Sequence, residues 1–84
     1  MKLRLLPQAA RGLDRISEPL LSRVVNRLEV LNKFPEMGKL MSGPFEDYRS
    51  TVVGFFRVFY RLRPGDFVEI AYIRDCRRGP PSRA

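Results

Sequence analysis

Hydrophobic and polar positions repeat with a period of two in the second half of this chain and with a helical period in the first. Across residues 55–63, Phe56, Val58, Tyr60 and Leu62 make one face, while Phe55, Arg57, Phe59, Arg61 and Arg63 make the other. This predicts a strand, because successive side chains on extended backbone point to opposite sides. The second face alternates rings with guanidinium groups. Burying several unpaired cations is prohibitive, so that face is expected to meet water or an acidic partner. Val53-Gly54 and Arg63-Pro64-Gly65-Asp66 flank the strand as turn signals: glycine reaches positive φ, and proline presets φ for a turn. A further run sets Val68, Ile70 and Tyr72 against Phe67, Glu69, Ala71 and Ile73. Apart from Glu69 both sets are fairly apolar, as expected of an interior strand. Residues 47–78 therefore predict three strands in an antiparallel meander.

The first half follows the helical period. Residues 2–6, with Leu3, Leu5 and Leu6 apolar, predict a short edge strand ended by Pro7. Pro7 suits the start of a helix over residues 8–16, in which Ala9, Leu13 and Ile16 share a face and Gly12 weakens the helix. Ser17-Glu18-Pro19 is a second start signal, with Ser17 as the expected cap. Over residues 20–33, Leu21, Val24, Val25, Leu28 and Leu31 form an apolar stripe, and Arg23, Asn26, Arg27 and Lys33 the outer face. The two helices are expected to pack as a hairpin on the Phe56, Val58, Tyr60 and Leu62 face. Pro35, Gly38, Gly43 and Pro44 mark residues 34–44 as a loop. Residues 79–84 read as a disordered basic tail. The fold class expected is a small α+β single domain over residues 1–78.

Length and composition narrow the means of stabilisation. At 84 residues the chain sits near the lower limit for a core without staples. The one cysteine, Cys76, excludes an internal disulfide, and with no histidine in the sequence no zinc site is expected. No cofactor is implied. Sixteen Lys and Arg against nine Asp and Glu give a formal charge of +7, which favours nucleic acid, anionic lipid or an acidic protein as partner. No apolar run approaches the ~20 residues that span a bilayer, and no signal peptide is read, so the expected location is cytoplasmic.

Candidate chemistry rests on arginine. Motifs for a Ser-His-Asp arrangement, a P-loop or a dinucleotide site do not occur. Any general acid or base would be a carboxylate, a tyrosine, a perturbed lysine or Cys76. Arg49, Arg57, Arg61, Arg63, Arg74, Arg77 and Arg78 are seven arginines within thirty residues, with Phe55 and Phe59 among them. Guanidinium forks and rings together suit phosphate binding and base stacking. Arg57, in mid-strand, is positioned by the sheet; Arg61 and Arg63, near the turn, read as solvated. Tyr60 and Tyr72 read as core residues on apolar faces.

Several stretches of this chain resemble a known family. The order strand, helical hairpin and meander, the run Gly43-Pro44-x-x-Asp47-Tyr48-Arg49, then Val53-Gly54-Phe55-Phe56-Arg57-Val58-Phe59-Tyr60, then Val68-Glu69-Ile70-Ala71-Tyr72-Ile73 and Arg77-Arg78 are similar to the RelE/ParE superfamily of type II toxins. Residues 9–16 and 28–38 are similar too, so the resemblance spans nearly the whole chain. It implies a compact toxin with a basic concave sheet face, held in a heterocomplex with a cognate acidic antitoxin whose C-terminal segment wraps it. RelE-like members cut mRNA on the ribosome, with arginines and lysines around the scissile phosphate and a C-terminal tyrosine or histidine. ParE-like members instead poison DNA gyrase. By position, Arg57, Arg77 and Arg49 match the family's catalytic basic residues. Arg61, Arg63, Arg74, Arg78, Phe55, Phe59 and Lys39 are then the expected contacts to nucleic acid or target. Thr51 stands where RelE has a second lysine, and Arg83 stands near the place of the terminal tyrosine or histidine. The resemblance implies a ribosome-dependent mRNA endonuclease, with a gyrase inhibitor or a non-toxic remnant as alternatives.

Overall fold

The computed structural model describes residues 2–78, which form β1 (Lys2–Leu5), α1 (Pro7–Asp14), α2 (Leu20–Lys33), β2 (Lys39–Leu40), β3 (Arg49–Val53), β4 (Phe56–Arg63) and β5 (Phe67–Asp75). The strands make a single sheet in the order β1-β5-β4-β3-β2. β3, β4 and β5 are the expected antiparallel meander, and β1 is the expected edge strand, joined to β5 in parallel. β2 lies in the stretch expected to be loop. Its two residues pair with β3, Lys39 opposite Ser50 and Leu40 opposite Arg49, and so close the other edge. A two-residue strand is too short for periodicity to reveal it.

Both helices cover one face of the sheet. The core joins Ala9 from α1, Ile16 from the link that follows it, where the helix was expected to continue, Val24, Leu28 and Leu31 from α2, and Val53, Phe56, Val58, Tyr60, Val68, Ile70 and Ile73 from the strands. Gly12, which weakens α1 in isolation, lets the helix lie directly against β5. A Cβ there would stand 2.9 Å from the Ile73 carbonyl oxygen. Pro7 occupies the first turn of α1 as expected, behind Leu6 as N-cap. At α2 the expected cap is corrected. Pro19 is the N-cap residue, and the Glu18 carboxylate, not Ser17, accepts from the Ser22 N–H at 3.0 Å and the Ser22 hydroxyl at 2.8 Å.

Two predicted core positions lie at the rim instead: Val25 at one edge of the α2 stripe and Leu62 near the end of β4 are both more than a third exposed. Leu20, just outside the predicted stripe, packs on the core in their place. The β3–β4 connection is also tighter than expected. Val53 pairs directly with Phe56, so Gly54-Phe55 is the whole loop and Phe55 belongs to the turn, not to the strand. Gly54 has φ +59°, and a Cβ on it would meet the Leu20 side chain at 2.7 Å. Turn and helix packing both require glycine there.

Candidate nucleic-acid interface

The face turned away from the helices follows from strand register, since residues directly opposite one another share a face. Arg57 lies opposite Val52 on β3 and Arg74 on β5; Phe59 lies opposite Ser50 and Tyr72; Arg61 lies opposite Glu69, and Arg63 opposite Phe67. β1 adds Lys2 beside Phe67 and Arg4 beside Glu69, and β2 adds Lys39 beside Ser50. The expected Arg57, Phe59, Arg61, Arg63, Arg74 and Lys39 therefore share this open face. Lys2 and Arg4 join them over the Phe67 ring, at 5.7 and 4.4 Å from its centroid. Neither was singled out in the sequence, although their alternation with Leu3 and Leu5 is legible there.

Tyr72 is the larger correction. Counting alternate residues from Val68 and Ile70 assigns it to the apolar face. The pairing shifts between Phe59 and Tyr60, so that Tyr60 pairs with Ile70, Phe59 pairs with Tyr72, and Ala71 is the extra residue on β5. This β-bulge inverts the faces of everything after it. Tyr72 is turned to the open side, 43% exposed, with its ring 6.1 Å from that of Phe59. Ile73 takes the buried place. Tyr60 stays where the pattern assigned it: fully buried, its hydroxyl donates to the Pro35 carbonyl and accepts from the Gly38 N–H, both at 2.8 Å. Burial, the largest influence, raises its pKa above the ordinary phenol value, against the opposing pull of the Gly38 N–H and the charge of Arg49.

The three arginines matched to catalytic positions do not come together. Arg57 lies in mid-face, between Val52 and Arg74. Arg49 lies opposite Tyr60, on the helix side, and its guanidinium donates to the Glu36 and Gly38 carbonyls at 3.2 and 3.1 Å. There it ties the loop after α2 to the sheet. Arg77 sits at the far end of β5, in the 3-10 turn Cys76–Arg78. It grips Asp75 through Nη2 at 2.9 Å and stacks 3.7 Å over the Phe55 ring. The hydrogen bond to Asp75 is the main reason its pKa is raised. Arg61, expected to be solvated, is bonded to Glu69 at 2.9 Å and lies over the Tyr48 ring at 4.9 Å. The backbone of Arg78 shares the Cys76–Arg78 turn. The expected tail, residues 79–84, lies outside the described residues. Cys76 is exposed.

Beside Arg77 a cleft of about 650 Å³ opens between the link joining the helices and the end of β5. Arg15, Arg23, Tyr72, Arg74 and Arg77 line it, together with Glu18 and Asp75. Among the described residues no group of three His, Cys, Asp or Glu side chains is placed to hold a metal, and no helix is long and apolar enough to cross a membrane.

Comparison with known proteins gives a consistent picture. The family model for the ParE toxin of the type II toxin–antitoxin system parDE matches residues 3–80. No curated protein matches the chain by sequence. Among solved structures, the toxin–antitoxin complex RelBE2 from Mycobacterium tuberculosis superposes with a TM-score of 0.80 at 23% identity, covering 88% of this chain and 95% of that one. The isolated E. coli RelE toxin gives 0.75 at 15% identity, with 88% and 82% covered. The archaeal RelE–RelB complex from Pyrococcus horikoshii gives 0.71 at 17%, with 93% and 97% covered. At these identities the likeness is one of fold.

Proposed function

We propose that the open sheet face of this chain, which belongs to the ParE toxin family of type II toxin–antitoxin systems within the RelE/ParE superfamily, binds RNA and cleaves mRNA on the ribosome. The observation that carries this reading is Arg57 directly opposite Arg74 beside the Phe59–Tyr72 ring pair. Arginines at directly opposed strand positions suit a shared phosphate, and rings next to them offer stacking worth about 1–3 kcal/mol per base. When cleavage occurs, Arg57 stabilises charge on the phosphate from a position fixed by the strand.

An acidic antitoxin is the second partner in this proposal. The open face attracts it electrostatically, and Phe34, Met37, Leu40 and Phe45, all around half exposed or more near the end of α2 and the loop after it, offer apolar anchors. The M. tuberculosis RelBE2 structure is a toxin–antitoxin complex, and the P. horikoshii structure is a RelE–RelB complex.

A second reading, inhibition of DNA gyrase by binding alone, draws on the Arg61–Glu69 and Arg77–Asp75 pairs, which leave fewer cations for phosphate. Inducible expression in bacteria, with mRNA ends mapped and supercoiling assayed in the same cells, separates the two. Codon-phased mRNA cuts are expected. Accumulation of cleaved gyrase–DNA complexes with intact mRNA would overturn the nuclease reading, and unaffected growth would point to a remnant that only binds its antitoxin.

A further inference from the structure

We propose that Tyr72 is the proton donor of the site, delivering a proton to the 5′ oxygen that leaves when RNA is cut; this rests on the nuclease reading above. The bulge at Ala71 turns Tyr72 onto the open face, where its ring faces Phe59 and its neighbours along and across the strands are Arg74 and Arg57. Bulges that re-aim a side chain are over-represented beside active sites. The contrast with Tyr60 is chemical as well as positional: the Tyr60 hydroxyl is bonded twice within the protein, whereas among the described residues no group takes up the hydroxyl of Tyr72. Tyr72 also lines the cleft of about 650 Å³, a size in the range of small-molecule sites.

The other open-face groups suit the task less well. Arginine does not release its proton in proteins. The Glu69 carboxylate is bonded to Arg61, Lys2 lies over Phe67, and Lys39 sits on β2, two strands away from Arg57. A phenol keeps its proton at neutral pH and can donate it in the transition state. The step balances without an outside reagent. The 2′ oxygen forms a bond to phosphorus as its own proton passes to water, the bond from phosphorus to the 5′ oxygen breaks, and the Tyr72 proton ends on that oxygen. A 2′,3′-cyclic phosphate and a 5′ hydroxyl result, and water returns a proton to the phenolate.

The test uses the full chain with ribosomes programmed by two mRNAs, one ordinary and one carrying sulfur in place of the bridging 5′ oxygen at the cut site. A thiolate leaves without a proton, its conjugate acid having a pKa near 8.5. Tyr72→Phe keeps the ring and is expected to slow cleavage of ordinary mRNA by about 10²–10⁴-fold. On the sulfur substrate its rate is expected to return to within about threefold of wild type, as loss of a transition-state proton requires. Affinity for an uncleavable 2′-deoxy mRNA should not change. Wild-type rates of the variant on ordinary mRNA, or equal slowing on both substrates, would overturn the assignment to Tyr72. Intact mRNA with the wild-type protein would overturn the nuclease reading itself.

Discussion

Tyr60 and Tyr72 stand for the two sides of one sheet. On the helix side every demand of the residue is met internally: Tyr60 has no exposure, two hydrogen bonds and Arg49 nearby. On the open side Arg57 faces Arg74, and an exposed Tyr72 ring lies beside Phe59. The same strand alternation builds a packed core on one side and a surface of cations and rings on the other. Stability is therefore expected to reside on the first face and activity on the second.

The largest effect that would break this division is loss of activity from the covered face or of stability from the open one. Leu31→Ala, at a fully buried position, should cost about 2–5 kcal/mol in chemical denaturation. Arg57→Ala should reduce mRNA cleavage by about 10²–10³-fold while the thermal midpoint stays close to wild type. If Arg57→Ala unfolds the domain instead, the open face is structural and the division fails.

Tyr60→Phe, next in size, strands the Gly38 N–H and the Pro35 carbonyl and should cost about 1–3 kcal/mol with activity retained. It also carries a pH signature. The folded-state pKa of Tyr60 lies above the ordinary value of 10.0, so the folded protein holds that proton more tightly than the unfolded chain. The resulting stability is complete below pH 10.0 and is lost as pH rises through the folded-state value. Alkaline titration of unfolding free energy should show this loss in wild type and not in Tyr60→Phe. The smallest effect is expected from Glu69→Gln. It keeps an acceptor for Arg61 but frees its charge, so the salt dependence of RNA binding should steepen by about 0.7 in logarithmic slope with no measurable change in melting.

Much of the fold was legible because two periods dominate the chain. The meander, the edge strand and the helical hairpin all follow from where Val58, Tyr60, Val24 and Leu28 repeat. What escaped was set by single residues. The shift at Ala71 leaves no mark in the sequence, since alanine fits either face, yet it moves Tyr72 from the core to the open face. Arg49 follows a motif tyrosine, but its parity with Tyr60 through the β3–β4 register sends it to the helix side. The charge of Arg61 was readable, while its bond to Glu69 depended on which strands become neighbours. The cation-rich character of the site could be read from composition, and its geometry could not.

β1 has a consequence for how the molecule comes into being. Its partner is β5, with Lys2 beside Phe67 and Leu5 beside Ile70, so the first strand of this sheet in chain order waits for the fifth. Synthesis at about 5–20 residues per second separates the two by seconds. During that interval Leu3 and Leu5 have no sheet to join, and the long closure makes this pairing a slow part of folding. A chain interrupted before Phe67 also lacks the strand that brings Arg74 and Tyr72 opposite Arg57 and Phe59. The cation-and-ring surface is therefore assembled only after β5 has joined β4.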